Sequence, residues 1–295
     1  MALGELRKLL ERHARADLTT SIEGVRVCRF EPGVTPASSM SGTSLALIAQ
    51  GSKRLVLGSQ VYDYGPGQYL VTSVDLPVTG QAVGTGTTLG FGMTLDGGEI
   101  ADLVANAEPG ELPQASGSGE MISVSDAPDE LLDAVVRLLR LLDRPTDRRI
   151  LAPMIKREIV WRLLTGHNGD AIRQIGLADS GHIRRAIRWI RENYTKPFKV
   201  EEVAQVAGLS VSAFYRNFHE ATSMSPIQFQ KQIRLQEARL LLASRPNDVS
   251  TVGHRVGYGS VSQFSREYRR QFGTSPSLDT VRTGNPEPAG AAALP

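Results

Sequence analysis

The chain has 295 residues, enough for two domains that each bury a core without covalent staples. Its single cysteine, Cys28, excludes an intrachain disulfide and any cysteine-rich zinc or iron–sulfur site, the usage expected of a reducing, cytoplasmic compartment. The net charge of +2 is unevenly spread: residues 181–282 hold 16 Lys and Arg against 8 Asp and Glu, while the remainder holds 17 against 23. Cationic surface concentrated in one half of a chain is the electrostatic footprint of phosphate binding.

Residues 1–18 place Leu3, Leu6, Leu9 and Leu10 at helical spacing among charges, which predicts an amphipathic helix and argues against a signal peptide. No 18-residue apolar run follows, so no membrane partner is expected. From Val25 to about Gly98, short runs such as VRVCRF, SLALIAQ, RLVLG, QYLVT and TLGFGMTL alternate with GS, GPG, GTG and DGG turns. That texture predicts an all-β sandwich or barrel over about 20–100. Residues 99–125 are polar and rich in Gly, Pro and Ser and read as a loop. Asp126-Ala-Pro128 opens a helix whose Leu131, Leu132, Val135, Val136, Leu138, Leu139 and Leu142 make a stripe wider than one buried face needs, and a second helix follows at Ala152–Leu164. This excess of leucine predicts a homodimer through 126–165. Residues 166–181 suit an interdomain linker, and 283–295, with two prolines among small residues, a disordered tail.

The C-terminal half carries an internal repeat. VAQVAGLSVSAFYRNFHEATSMSP (203–226) and VGHRVGYGSVSQFSREYRRQFGTSP (252–276) match at an offset of 50 over their later parts, pairing Ser212 with Ser262, Phe214 with Phe264 and Arg216 with Arg266. Each copy has the anatomy of a helix-turn-helix, about 201–220 and 250–272: a short apolar helix, a Gly for the left-handed turn, then Ser210 or Ser260 to cap the next helix. Ser260 and Gln263 have the spacing of a capping box. Phe214 with Phe218, and Phe264 with Tyr268, lie one turn apart and must face the core. The opposite face carries Ser212, Ala213, Tyr215 and Arg216 in the first copy, and Val261, Ser262, Gln263, Ser265 and Arg266 in the second. These side chains suit a major groove of double-stranded DNA, where Arg grips guanine or phosphate and Gln grips adenine. Ser210, Ser260, Arg184, Arg188 and Arg269 are candidate phosphate contacts, the two former arginines forming with Arg191 a cationic stripe on a helix over 183–191. Ser225-Pro226 caps a long helix to about Leu242 that would hold the two units apart.

These residues resemble the AraC/XylS class of bacterial transcription regulators over 182–282. The dense segment is VGYGSVSQFSREYRRQFGTSP; Gly253 departs from it, standing where the family usually has alanine, at about 1 kcal/mol of helix propensity. The resemblance implies that one chain lays both recognition helices into successive major grooves of an operator, roughly 34 Å apart. Regulation of this kind, activating or dual, also implies RNA polymerase as a partner. Residues 20–165, through the segment 42–80, resemble the N-terminal module of one AraC subfamily, which implies a cupin-like barrel with flanking helices over 1–165, ahead of an all-α tandem helix-turn-helix domain over 182–282, and a small organic effector in that barrel.

Cupins are also enzyme folds, but metal-dependent ones need two or three lumen histidines, and none of the five histidines lies between residues 14 and 166. No metal or other cofactor is expected, and no nucleophile motif or phosphate loop points to catalysis. A methyl-acceptor repair protein would need further zinc-binding cysteines. Cys28, Tyr62 and Tyr64 are the effector or redox candidates: Cys28 reads first as a buried inert thiol, and alternatively as a thiolate sensor beside Arg26 or Arg29. A second reading is an architectural DNA-binder whose barrel only dimerises.

Overall fold

The structure, a computed structural model, describes residues 2–32, 37–113, 120–167, 169–176, 181–244 and 248–283. The amphipathic helix α1 (Ala2–His13) leads into eight strands: β1 (Val25–Phe30), β2 (Ala37–Met40), β3 (Ser44–Gln50), β4 (Ser52–Leu57), β5 (Gln60–Tyr64), β6 (Gln68–Thr72), β7 (Pro77–Val83) and β8 (Thr88–Thr94). A ninth strand, β9 (Ile122–Asp126), follows the helix α2 (Gly97–Ala105). All pair antiparallel in two sheets, ordered β1-β8-β3-β6-β9 and β2-β7-β4-β5.

Burial explains the layering. Strand β3 is buried on both faces, so its sequence shows a continuous apolar run rather than alternation. Leu45 and Leu47 point into a cluster with α1, α3 (Asp129–Arg140) and α4 (Pro145–Thr165), while Ala46 and Ile48 point at Leu55, Leu57 and Val78 of the smaller sheet. The five-stranded sheet is therefore the middle layer, with helices on one side and the four-stranded sheet on the other.

Several sequence expectations change here. The stretch read as a loop over 99–125 holds most of α2, capped by Asp96 through the Glu99 N–H, and most of β9, which closes the edge of the large sheet against β6; residues 114–119 lie outside the described residues. The second helix begins at Pro145, where proline occupies the first turn without forfeiting a hydrogen bond, and runs on through Pro153. The segment read as a linker over 166–181 contains α5 (Gly169–Gly176), whose Ile172 and Ile175 join the helical layer. The wide leucine stripe of α3 is consumed within the chain: Leu131, Leu132, Val135, Val136, Leu138 and Leu139 are all buried, because α1, α4 and the sheet cover three sides of that helix. The premise of exposed leucine on α3 for a dimer is thereby removed. The large apolar side chains that remain exposed in this region are Ile150, Leu151 and Met154 on α4.

The C-terminal half is helical throughout: α6 (His182–Glu192), α7 (Val200–Ala207), α8 (Val211–Thr222), α9 (Pro226–Ser244), α10 (Val249–Arg255), α11 (Val261–Phe272) and α12 (Pro276–Thr283). The tail read as disordered falls, from residue 284 on, outside the described residues. The core of α6–α8 with Phe229 and Ile233 of α9 is continuous with the apolar layer between the two sheets, whereas α10, α11 and the later part of α9 bury a separate cluster around Phe264 and Tyr268.

Candidate nucleic-acid interface

The two helix-turn-helix units close in the same way. In the first, the N–H groups of Gly208 and Leu209 donate to the carbonyls of Gln205 and Ala204; in the second, those of Gly257 and Tyr258 donate to His254 and Gly253. Both turns pass through a glycine with positive φ, +70° at Gly208 and +93° at Gly257. Ser210 then caps α8 by accepting from the Ala213 N–H (3.3 Å), and Ser260 caps α11 by accepting from the Gln263 N–H (3.4 Å). The reciprocal half of the expected capping box is not what Gln263 makes: its amide turns one helical step forward, to Glu267.

Phe214, Phe218, Phe264 and Tyr268 are fully buried, as their spacing required. Tyr258 and Tyr268 flank Phe264 at ring-centroid distances of 5.2 and 5.5 Å. Gly253 acquires a reason: a Cβ there would stand 3.0 Å from the Phe264 ring, so the missing side chain lets α10 approach α11 closely. The faces opposite these aromatics are open. Ser212, Tyr215 and Arg216 are exposed on α8, with Ala213 half-buried at its rim; Ser262, Gln263 and Arg266 are exposed on α11, with Val261 and Ser265 half-buried. Ser210 and Ser260 are exposed at the N-terminal ends of the two helices, and Arg269 is exposed in the last turn of α11.

Helix α9 fixes the spacing of the units with polar staples that the sequence reading missed. Gln230 donates to the carbonyls of Tyr194 and Lys196 at 2.9 and 2.6 Å, and Arg234 to those of Tyr194 and Gly257 at 2.6 and 2.9 Å. Arg239 and Tyr268 both reach the buried carboxylate of Asp279 on α12.

The stripe Arg184, Arg188, Arg191 requires a correction. Arg184 is buried, and its guanidinium donates to the Ser73 carbonyl and hydroxyl, both at 2.8 Å, in the turn after β6. Burial pushes its pKa down to about 10. Arg191 pairs with Asp75 in the same turn, and Arg188 is half-buried and engaged. This face of α6 docks on the β domain, so Arg184 is not available to a phosphate. The docking surface is completed by Gln60, which donates to the Glu220 carbonyl (3.4 Å), and by α9 lying against β2 and β7. Beside it a cleft of about 810 Å³ opens between the halves, walled by Tyr62, Glu120 and Ser123 on one side and by His182, Asn217 and Glu220 on the other.

The remaining site candidates fall in two places. Tyr62 is half-buried on the cleft, its hydroxyl donating to the Gln60 side chain, whereas Tyr64 is buried between the sheets. Cys28 is fully buried beside Leu18, and burial pushes its thiol up to about 12, against the opposing pull of Lys53 and Arg26. Little thiolate forms near neutrality, which removes the premise of a sensor. Native protein is expected to resist a neutral-pH alkylating agent that labels Cys28 completely in denaturant; rapid labelling of the folded chain, read by mass spectrometry, would contradict this burial.

Lys53 is also buried between the sheets, with its ammonium 5.2 Å from the Phe30 ring centroid, and desolvation lowers its pKa to about 8 from 10.5. Above about pH 8 the unfolded chain holds a proton that the folded chain has released, so stability rises with pH in that window. Urea denaturation is expected to show an unfolding free energy climbing from pH 7 to 9 and a flatter profile for Lys53→Met.

Two family models match the chain. Residues 21–171 match the AraC-type transcriptional regulator N-terminus, about half of the sequence, and residues 203–278 match a helix-turn-helix domain. The chain belongs to the AraC/XylS family of transcriptional regulators. Among the family's curated members, the transcriptional activator RhaS of Salmonella schwarzengrund is 26% identical over 147 residues, covering 50% of this chain and 53% of RhaS. RhaS of Salmonella typhimurium is 25% identical over the same length. The chain thus spans about half the length of the curated relatives it matches. Crystal structures of ToxT from Vibrio cholerae share the fold: a ToxT variant without ligand superposes with a TM-score of 0.58 over 89% of this chain and 99% of that one, at 9% identity. ToxT of strain O395 gives 0.57 over 87% and 96%, at 10% identity. The two-domain AraC fold, β-rich ahead of helical, therefore extends over nearly the whole length of this family member.

Proposed function

We propose that the protein is a sequence-specific regulator of transcription that binds double-stranded DNA through α8 and α11. The observation that carries this reading is the pair of capped helices held by α9, each offering an exposed polar face with one arginine, Arg216 or Arg266. Ser212, Ala213 and Tyr215 on α8, and Val261, Ser262, Gln263 and Ser265 on α11, are the accompanying groove contacts; Ser210, Ser260 and Arg269 approach the flanking phosphates. Activation, the role that the name of RhaS states for that relative, is the mode proposed here, with RNA polymerase as the proposed partner.

Footprinting against competitor DNA tests the reading. A defined protected site with a specificity ratio of at least about 10³ is expected, and a ratio under about ten would leave only an architectural DNA-binder. Arg266→Ala should weaken operator binding by about 1–3 kcal/mol at fixed salt; unchanged affinity in a titration would move the recognition face elsewhere.

Control by a small effector is part of the proposal, but its place moves from the barrel lumen to the interdomain cleft. Leu55, Leu57 and Tyr64 fill the space between the sheets, while the cleft has the size of a ligand site and touches both halves. One ToxT crystal structure contains an unsaturated fatty acid. Here Glu120 and Glu220 line the cleft, while its Asp170 is paired with Arg173 and the guanidinium of its Arg184 is spent on Ser73, so a neutral or cationic hydrogen-bonding molecule suits it better than a carboxylate. Amines or polyols that raise the melting temperature of the parent but not of Asn217→Leu would support this; equal shifts in both would refute it.

The homodimer expected through 126–165 is narrowed to one part of that segment, the exposed Ile150, Leu151 and Met154 of α4. Sedimentation at micromolar concentration should show a dimer that Met154→Asp converts to monomer, and a monomeric parent would remove the claim.

A further inference from the structure

One polar group beside the recognition face of α11, absent from the sequence reading, is the carboxylate of Glu267. It is held from three elements. Tyr258, in the turn of the second unit, donates its hydroxyl to Oε2 at 2.9 Å; Lys231 on α9 donates to Oε1 at 3.2 Å; and Gln263, one turn earlier on α11, donates its Nε2 to Oε1 at 3.1 Å. The Glu267 side chain is only 11% exposed, whereas Gln263 is exposed in the first turn of the helix, the part of a recognition helix that meets base edges. Burial alone would raise the Glu267 pKa, but the hydrogen bonds from Gln263, Tyr258 and Lys231 outweigh it and hold the group below the usual carboxylate range. Glu267 is therefore an acceptor with no proton to offer.

A side-chain amide is nearly symmetric in shape, and which end faces a ligand is set by its hydrogen bonds. A carboxylate can accept only from the nitrogen end. We propose that Glu267 is a positioning residue that locks the orientation of the Gln263 amide and so sets which base the second unit reads. With one amide hydrogen spent on Glu267, Gln263 keeps a carbonyl acceptor beside one N–H donor. That pair complements the N6 amino group and N7 of adenine in the major groove, and it matches neither guanine, with two acceptors, nor cytosine, with a lone donor. Because Tyr258 and Lys231 anchor Glu267 to the turn and to α9, the lock is set by the fold around α11 and is in place before DNA arrives. The inference rests on the reading of α11 as a recognition helix.

The test is selection of bound sequences from random DNA by the full chain and by three variants, Gln263→Ala, Glu267→Ala and the double variant. Gln263→Ala, at an exposed position, identifies the base pair that Gln263 reads. The parent is expected to prefer adenine there. Glu267→Ala is expected to lower that preference roughly tenfold, within the discrimination one good side-chain contact supplies, while preferences at all other positions stand. The double variant should match Gln263→Ala alone, since the lock has no other route to the DNA. If circular dichroism shows that Glu267→Ala does not fold, the isosteric Glu267→Gln takes its place; its amide can face Gln263 with either end, so adenine preference should fall there as well, by less. An intact adenine preference in the folded variant, or an equal loss at every position, overturns the proposal, as does a Gln263→Ala that alters no position. A parent that selects no sequence at all would instead defeat the DNA-reading function itself.

Discussion

Gly257→Ala is expected to collapse the second helix-turn-helix unit. A Cβ at this position would lie 2.1 Å from the Thr195 carbonyl oxygen and 2.8 Å from its carbon, on a residue whose φ is +93°. The obstacle is main chain, so no side-chain rotation relieves it. The Gly257 carbonyl is also pinned by Arg234, which donates as well to the Tyr194 carbonyl, so the turn cannot retreat without breaking the staple between α9 and the segment after α6. A loss of about 4 kcal/mol is expected, the range reached when backbone strain and a steric clash coincide. Urea denaturation of the purified variant reads it directly, and a loss below about 1 kcal/mol would show a turn far more compliant than this packing allows.

The second large effect separates the two aromatic cores. Phe218 stacks between Phe214 and Phe229 at 5.3 and 5.4 Å in a cluster that runs on into Leu55, Leu57 and Tyr64 of the β domain. Phe264 sits between Tyr258 and Tyr268 in a cluster confined to the second unit and its neighbours. Truncating either to alanine should cost about 3–5 kcal/mol, the usual range for a fully buried phenylalanine. The consequences should be distributed differently. Phe264→Ala is expected to speed hydrogen exchange in α10, α11 and α12 alone, whereas Phe218→Ala should loosen α6–α8 together with β4, β5 and β9. Exchange in Phe218→Ala that leaves those strands as protected as in the parent would show that the shared core is not one cooperative unit.

What the sequence revealed follows from the range of each interaction. The two helix-turn-helix units were legible because their signals are local and doubled: a left-handed glycine, a serine cap two or three residues on, and aromatics one turn apart. The strands β3, β6 and β8 were legible as buried runs. Helix α2 was obscured by its opening Gly97-Gly98, and β9 by Ser123 and Ser125 among its five residues, so both resembled the loop between them. Helix α5 was hidden in the same way by Gly169 and Gly176 at its ends. Harder limits arose where a side chain's fate depends on a distant partner. Nothing near Arg184 announces Ser73, which lies 111 residues earlier. The leucines of α3 reveal that they must be covered, and not that α1, α4 and a sheet do the covering. At the candidate site, the positions named on α11 lie on the side away from Phe264 and Tyr268, with Val261 and Ser265 half-buried, but the link from Gln263 to Glu267 competed with the capping box that the same glutamine could have made.

The contacts of α6 with the turn after β6 also bear on how such a protein can be taken apart and recombined. Arg184 reads a main-chain carbonyl and a hydroxyl at Ser73, and Arg191 reads the carboxylate of Asp75, so the helical half carries a two-point key for one particular β domain. A hybrid joining this α6 to another family member's first half would inherit a buried guanidinium, with nothing to receive it unless the new turn offers equivalent acceptors. For this chain, module exchange requires residues 73 and 75 to travel with α6.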